Sequence, residues 1–403
     1  MKKNTFKEQF DIISQNVHEI IPEYELKQKL KDSIDNQIPL NIKLGCDPSR
    51  PDLHLGHSVV LNKLKEFQDF GHNIILVIGD FTAMIGDPTG RNKTRPQISI
   101  EETKVNAETY ITQVSKILNI EKTRVVFNSQ WLNKLNFKNL IDLSSKFTVA
   151  QFLERDDFSK RYKSGKPISL HEFMYPLAQA YDSVYLRADV ELGGTDQKFN
   201  LLLARTLQKE FDLGQQVTIT LPLLEGTDGK EKMSKSYDNY IAFTDTPEDM
   251  YGKILSIPDE LILKYFTLVL NLSSKEIEDY KIMLKMDKIS YRDLKRKLAR
   301  EIITIYYNKK FASSAENNFD QIFVKKSIPD DIPEYKLAEN LKLVDFVIDT
   351  KSFKSKGEIK RLIKQGAVKV DDNVIMDIHY ELVHGSDYVI KLGKRIFIKA
   401  LSN

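Results

Sequence analysis

The chain has 403 residues, 41% of them hydrophobic and 10% aromatic, with a formal net charge of +3, seven histidines and one cysteine. That length suits roughly two or three domains with sizeable cores, and no apolar run approaches the roughly 20 residues of a membrane-spanning helix. Cys46, standing alone, excludes an internal disulfide and any cysteine-built zinc site, and a polar start with no apolar core behind it points to a cytoplasmic protein.

Residues 1–39 read as helical, with Phe6, Phe10, Ile13, Val17 and Ile20 as apolar positions before Pro22 interrupts. An apolar strand from Leu40 leads into a loop ending in Asp52-Leu53-His54-Leu55-Gly56-His57. An amphipathic helix follows from Ser58 to Phe70, and a second strand runs from Ile74 to Gly79. This is a βαβ unit of the kind that holds ligands at the carboxyl ends of its strands. His54 and His57 stand at the helix mouth, where unpaired N–H groups favour a phosphate, and Gly56 lets a base or ribose approach the backbone closely. Taken alone, the two histidines also fit a surface pair or half of a zinc site.

The loop from Phe81 to Arg91, with Lys93 and Arg95 behind it, lies at a strand's carboxyl end. Thr82 and Asp87 suit an amino group there, and Arg91 and Arg95 suit a phosphate. A helix over Ser99–Leu118 and a strand over Val125–Phe127 come next. The alternation of strand and helix then breaks, marking an insertion over about 127–187. Within it, Tyr175, Gln179 and Asp182 fall on one helical face, and such a polar stripe on an apolar helix requires partners. Val190–Gln197 is another strand-to-helix turn, in which Asp196 suits ribose hydroxyls. Behind the apolar run Val217–Leu224, a polar loop carries Lys232-Met233-Ser234-Lys235-Ser236, two lysines placed to close over a triphosphate.

Caps at Thr246 and at Ser273 with Glu276 signal helices from 246 to about 323, including the basic run Lys295-Arg296-Lys297. A polar stretch between prolines, 327–340, reads as a linker. From Asn340 onward twelve Lys or Arg face eight Asp or Glu, so the tail carries +4 and the remainder −1, a hint of nucleic acid. In the tail, Lys356, Lys360 and Lys364 recur on one helical face with Arg361 beside them, a stripe that suits a phosphate backbone.

The His54-x-Gly56-His57 and Lys232-to-Ser236 motifs, in that order on a parallel α/β pattern, resemble the signature of class I aminoacyl-tRNA synthetases. Tyr175, Gln179 and Asp182, with Gly193-Gly194-Thr195-Asp196-Gln197 and Ile85-Gly86-Asp87-Pro88, narrow the resemblance to tyrosyl-tRNA synthetases of the bacterial subgroup with the longer signature. Ser355–Val370 resembles the S4-like RNA-binding module. The resemblance implies an α/β, Rossmann-like catalytic domain over 1–240 with an inserted dimerisation segment. An α-helical anticodon-stem domain over 241–326, the linker, and a small α+β S4-like domain over 341–403 would follow.

Carried onto this sequence, the family's roles assign His54 and His57 to the transferring phosphate and Lys232, Lys235, Arg91 and Arg95 to pyrophosphate. Asp47, Gly56, Gly194, Asp196 and Met233 would lie against ATP. Asp87, Tyr175 and Gln179 would hold the tyrosine ammonium, Gln197 its carboxylate and Asp182 its phenol, with Thr82 a further tyrosine contact. Lys295, Arg296 and Lys297, with Lys356, Lys360, Arg361 and Lys364, would meet tRNA. The implied activity is ATP-dependent tyrosine activation and transfer to tRNA by a homodimer, with Mg²⁺ arriving on ATP and no caged metal. A tryptophanyl enzyme and a catalytically retired RNA-binding relative are the alternatives. Lys43 departs from the family, standing where many relatives have a tyrosine that reads the substrate hydroxyl. An ammonium only donates, so Lys43 is expected to pair with Asp182 or to face solvent.

Overall fold

The computed structural model describes residues 5–48, 51–88, 100–324, 332–353, 355–371, 373–393 and 396–402. The chain divides into two compact units, 1–312 and 313–403.

The first unit is built on a six-stranded sheet: β1 (Glu19–Ile21), β2 (Asn41–Cys46), β3 (Asn73–Ile78), β4 (Thr123–Phe127), β5 (Val190–Gly194) and β6 (Val217–Leu221), in the spatial order β1-β6-β5-β2-β3-β4. All neighbours are parallel except β1, which joins β6 antiparallel. Ile74 to Ile78 are buried without alternation, as expected of a strand covered on both faces. The sequence order reverses between β5 and β3, which flank β2, and the mouth of helix α3 (Leu55–Asp69) opens at this switch point.

The N-terminal stretch, read as helical with a break at Pro22, holds a strand as well. Helices Phe6–Ile13 and Glu23–Asn36 are separated by β1, because backbone pairing with β6 at the sheet edge satisfies Glu19–Ile21 better than an isolated turn would. Five helices occupy the expected insertion between β4 and β5, the last being Leu170–Leu186. The helices from Pro247 to Tyr306 belong to the same unit as the sheet. Asn62 of α3 donates to the Val269 carbonyl at 2.8 Å, and the Tyr265 hydroxyl donates to the Glu225 carbonyl at 2.7 Å. The expected caps form, Thr246 accepting from the Asp249 N–H and Ser273 with Glu276 closing a capping box.

In the second unit, strands Asn373–Val374, Val368–Val370, Tyr388–Leu392, Ile396–Leu401 and Glu334–Lys336 form a sheet in that order. Ile359 and Ile363 of helix Lys356–Lys364 enter a core with Val344, Val347, Ile390 and Ile398. Part of the expected linker is therefore structured: Glu334–Lys336 pairs parallel with the last strand, and Leu337 is buried in the core. Tyr335 and Leu337 supply apolar surface that the flanking polar composition concealed.

Candidate active site

A cavity of about 760 Å³ opens at the carboxyl ends of β2, β3 and β5 in the first unit. Asp47, Thr82, Asp87, Tyr175, Gln179, Asp182 and Gln197 line it, together with His54, Gly56, His57, Gly194, Asp196, Lys232, Met233 and Lys235. The expected amino-acid and nucleotide residues of the described chain thus share one space. Arg91 and Arg95 lie outside the described residues.

His54 caps α3, and its backbone N–H donates to His57 Nδ1 at 3.1 Å, with the ring centroids 4.0 Å apart. With Nδ1 accepting, neutral His57 carries its proton on Nε2 and keeps a donor. Burial, with Lys235 nearby, lowers His57 to about 4, and burial also holds His54 well below the usual imidazole range. Both are uncharged near neutrality, so each ring carries one N–H and one lone pair rather than a charge. A Cβ on Gly56 would stand 3.0 Å from the His54 ring and 3.6 Å from Met233 Cβ, so the glycine keeps this mouth open.

The lysine motif is ordered more than a solvated loop requires. Met233 N–H donates to the Leu224 carbonyl at 2.7 Å, Ser234 caps the turn Lys235–Tyr237, and Asn239 ties Ser234 N–H to Asp228. Lys232 pairs with Asp196 at 2.7 Å, so the cation expected on phosphate and the carboxylate expected on ribose hold each other. The neighbouring chain is clamped to the histidine mouth, Leu55 N–H donating to the Ile241 carbonyl and Phe243 N–H to the Leu53 carbonyl.

At the buried end, Asp182 accepts from Trp131 Nε1 at 2.8 Å and from Asn128 Nδ2 at 3.3 Å. Burial pushes its carboxyl up to about 7, with Lys43, Trp131 and Asn128 opposing the rise. Asp47 accepts from Thr82 Oγ1 at 2.8 Å and from the Tyr175 hydroxyl at 2.7 Å. It therefore braces two expected tyrosine ligands. Gly79 makes this possible, because a Cβ there would lie 2.0 Å from Asp47 Oδ1. Gln197 donates to Asp87 at 3.0 Å. Burial pushes the Cys46 thiol up to about 12, which leaves it an uncharged packing residue.

Lys43 departs from both expectations. It is fully buried and pairs with Glu191 of β5 at 2.9 Å, donating also to Ser183 Oγ at 2.7 Å and the Gln179 carbonyl at 3.0 Å. β2 and β5 are adjacent and register Lys43 against Glu191, a proximity set by strand order and invisible in the chain order. Sequence reasoning also passed over Asn128, Trp131, Arg155 and Asn200. Trp131, the one tryptophan in the chain, and Asn200, one turn on from Gln197, were the available signals. Of the expected tRNA residues, Lys356, Lys360, Arg361 and Lys364 are exposed opposite Ile359 and Ile363. Lys295, Arg296 and Lys297 are half-buried, with Lys295 paired to Asp259 at 2.7 Å.

Residues 35–324 match the family model described as tRNA synthetases class I (W and Y), and residues 324–398 match that of the Tyrosine--tRNA ligase SYY-like C-terminal domain. A tyrosine--tRNA ligase of Carboxydothermus hydrogenoformans is 52% identical over 408 residues, spanning 100% of this chain and 99% of the relative. The chain belongs to the tyrosyl-tRNA synthetase family. A Thermotoga maritima tyrosine--tRNA ligase is 50% identical over 98% of each chain. The fold agrees with that of the tyrosyl-tRNA synthetase of Archaeoglobus fulgidus, solved as a complex with L-tyrosine, with a TM-score of 0.63 at 23% identity over 77% of this chain and 99% of that one.

Proposed function

We infer that the protein is a tyrosine--tRNA ligase, joining L-tyrosine to ATP as tyrosyl-adenylate, releasing pyrophosphate, and passing the tyrosyl group to the 3′ end of a tRNA. The observation that carries this reading is the buried Asp182 acceptor in one cavity with the Asp87–Gln197 cluster and the histidine mouth. The tyrosine phenol donates to Asp182, its ammonium lies among Asp87, Tyr175 and Gln179, and Gln197 donates to its carboxylate. A carboxylate oxygen attacks the α-phosphorus in line while the bond to the β-phosphate oxygen breaks. No covalent enzyme intermediate forms, so positioning and charge stabilisation carry the rate.

His57 Nε2–H is the donor aimed at charge that grows on the phosphates. ATP exchanges the Lys232–Asp196 partners, Asp196 turning to the ribose and Lys232 joining Lys235, Arg91 and Arg95 on pyrophosphate. Among the described residues no three His, Cys, Asp or Glu side chains converge on a metal position, and Mg²⁺ enters as part of the nucleotide substrate. The exposed Phe137, Ile141, Val149 and Leu170 of the insertion support a homodimer through that segment. The exposed basic face of Lys356–Lys364 supports a tRNA contact. Exchange of labelled pyrophosphate into ATP, run with tyrosine, tryptophan and phenylalanine, tests the reading. Exchange should require tyrosine; exchange driven by tryptophan, or none with any of the three, overturns it.

A further inference from the structure

Gln179 and Gln197 each offer one carbonyl and one amino group, and only one orientation of each amide serves a substrate carrying both an ammonium and a carboxylate. What sets that orientation is Asn200, 1% exposed in the first turn of helix Lys198–Glu210. Its Nδ2 donates to Gln179 Oε1 at 2.9 Å and to Gln197 Oε1 at 3.0 Å. Both glutamine carbonyls are thereby marked as acceptors, and their amino groups turn to carboxylates, Gln197 Nε2 to Asp87 at 3.0 Å and Gln179 Nε2 to Glu191 at 3.3 Å.

Asn200 is itself held one way round. Its Oδ1 accepts from Arg155 Nη1 at 3.2 Å, and a guanidinium has donors only. Arg155 is 5% exposed, at the start of helix Asp156–Lys163 in the insertion. Asp157 fixes it at 2.7 Å, it lies 3.6 Å from Asp87, and it rests over the Phe158 ring. Turning the Asn200 amide over would face its NH₂ toward the guanidinium and its oxygen toward two carbonyl oxygens, reversing three favourable contacts at once.

We propose that Asn200, oriented by Arg155 of the insertion, is a positioning residue for tyrosine, setting both glutamine amides so that Gln197 presents its amino group to the carboxylate and Gln179 its carbonyl to the ammonium. This rests on reading those two glutamines as tyrosine contacts. Asn200→Asp tests it, since it keeps shape and the Arg155 partner but turns the double donor into an acceptor. Steady-state pyrophosphate exchange and quenching of the sole tryptophan, Trp131, on tyrosine addition are measured for the full chain.

Expected is a rise of roughly 10- to 100-fold in tyrosine KM, with ATP KM within about twofold, since no Asn200 bond reaches a nucleotide residue. Asn200→Ser, which deletes the fork without adding a charge, moves tyrosine KM the same way by less, and decides the matter if Asn200→Asp does not fold. Folded variants with unchanged tyrosine KM, or with tyrosine and ATP KM raised equally, overturn the proposal while leaving the ligase reading intact. A wild-type chain with no tyrosine-dependent exchange overturns both.

Discussion

Replacing Lys43 by methionine removes one half of a charge pair whose side chains are 0% and 1% exposed. All three ammonium protons are in use, on Glu191, Ser183 and the Gln179 carbonyl. Glu191 loses its only cationic partner among the described residues yet keeps Gln216 Nε2 at 2.5 Å, Ser183 Oγ at 3.0 Å and Gln179 Nε2 at 3.3 Å. Stranding one member of a buried pair costs about 3–5 kcal/mol, and the three remaining donors place this case at about 3 kcal/mol. Glu191→Met strands Lys43 and carries a similar cost. The double variant Lys43→Met/Glu191→Met replaces the pair by apolar groups and should cost far less than the two single losses added, since neither charge is left alone. Urea unfolding followed by Trp131 fluorescence reads all four proteins. Single losses under about 1 kcal/mol that simply add in the double variant would refute the reasoning, and Lys43 would then be a solvated cation after all.

Alanine at either His54 or His57 should slow adenylate formation by roughly 100-fold while tyrosine binding, followed by Trp131 quenching, stays unchanged; unaltered exchange rates in both would remove the histidines from the phosphate step. Asp182→Ala should lower the tyrosine-over-phenylalanine ratio of kcat/KM by at least about 10-fold, and Trp131→Phe, which deletes the 2.8 Å donor to that carboxylate, by a smaller factor. If Trp131→Phe proves the more damaging, the hydroxyl is not read by Asp182. A chain ending at Val324 should retain tyrosine activation, because every proposed activation residue precedes Ser236, and lose tRNA charging; loss of activation would show that the second unit is needed to fold the first. Burial lowers His54, His57 and His72, the last two to about 4, so these groups bind protons on unfolding, and their stabilisation is complete above about pH 6.5 and lost as pH falls toward 4. Asp182, raised to about 7, works in the opposite sense over that window and offsets one of them. Glu66 and Asp157, also raised by burial, act with Asp182, so the net is at most about two protons, or about 2.7 kcal/mol per pH unit, and a Tm that rises between pH 6.5 and 4.5 would contradict it.

Local chemistry was legible in the chain because its causes are local. The caps at Thr246 and Ser273, the helix mouth at His54 and the polar face of Tyr175, Gln179 and Asp182 follow from contacts or spacings within a turn or two. Long-range partners were not legible. β1 needed its β6 neighbour before a short run could be a strand, and Glu334–Lys336 read as linker until the last strand gave it a ladder. The same holds within the site. The sequence by itself picked out groups that the structure brings into one cavity, because a phosphate, an ammonium and a phenol each demand particular side chains at particular turns. Only the tertiary structure decided what holds those groups in place. Lys43 meets Glu191 because β2 lies beside β5, and Arg155 meets Asn200 because the insertion folds back on helix Lys198–Glu210. A buried polar group must find its partner wherever packing brings one, and chain order carries no record of that distance.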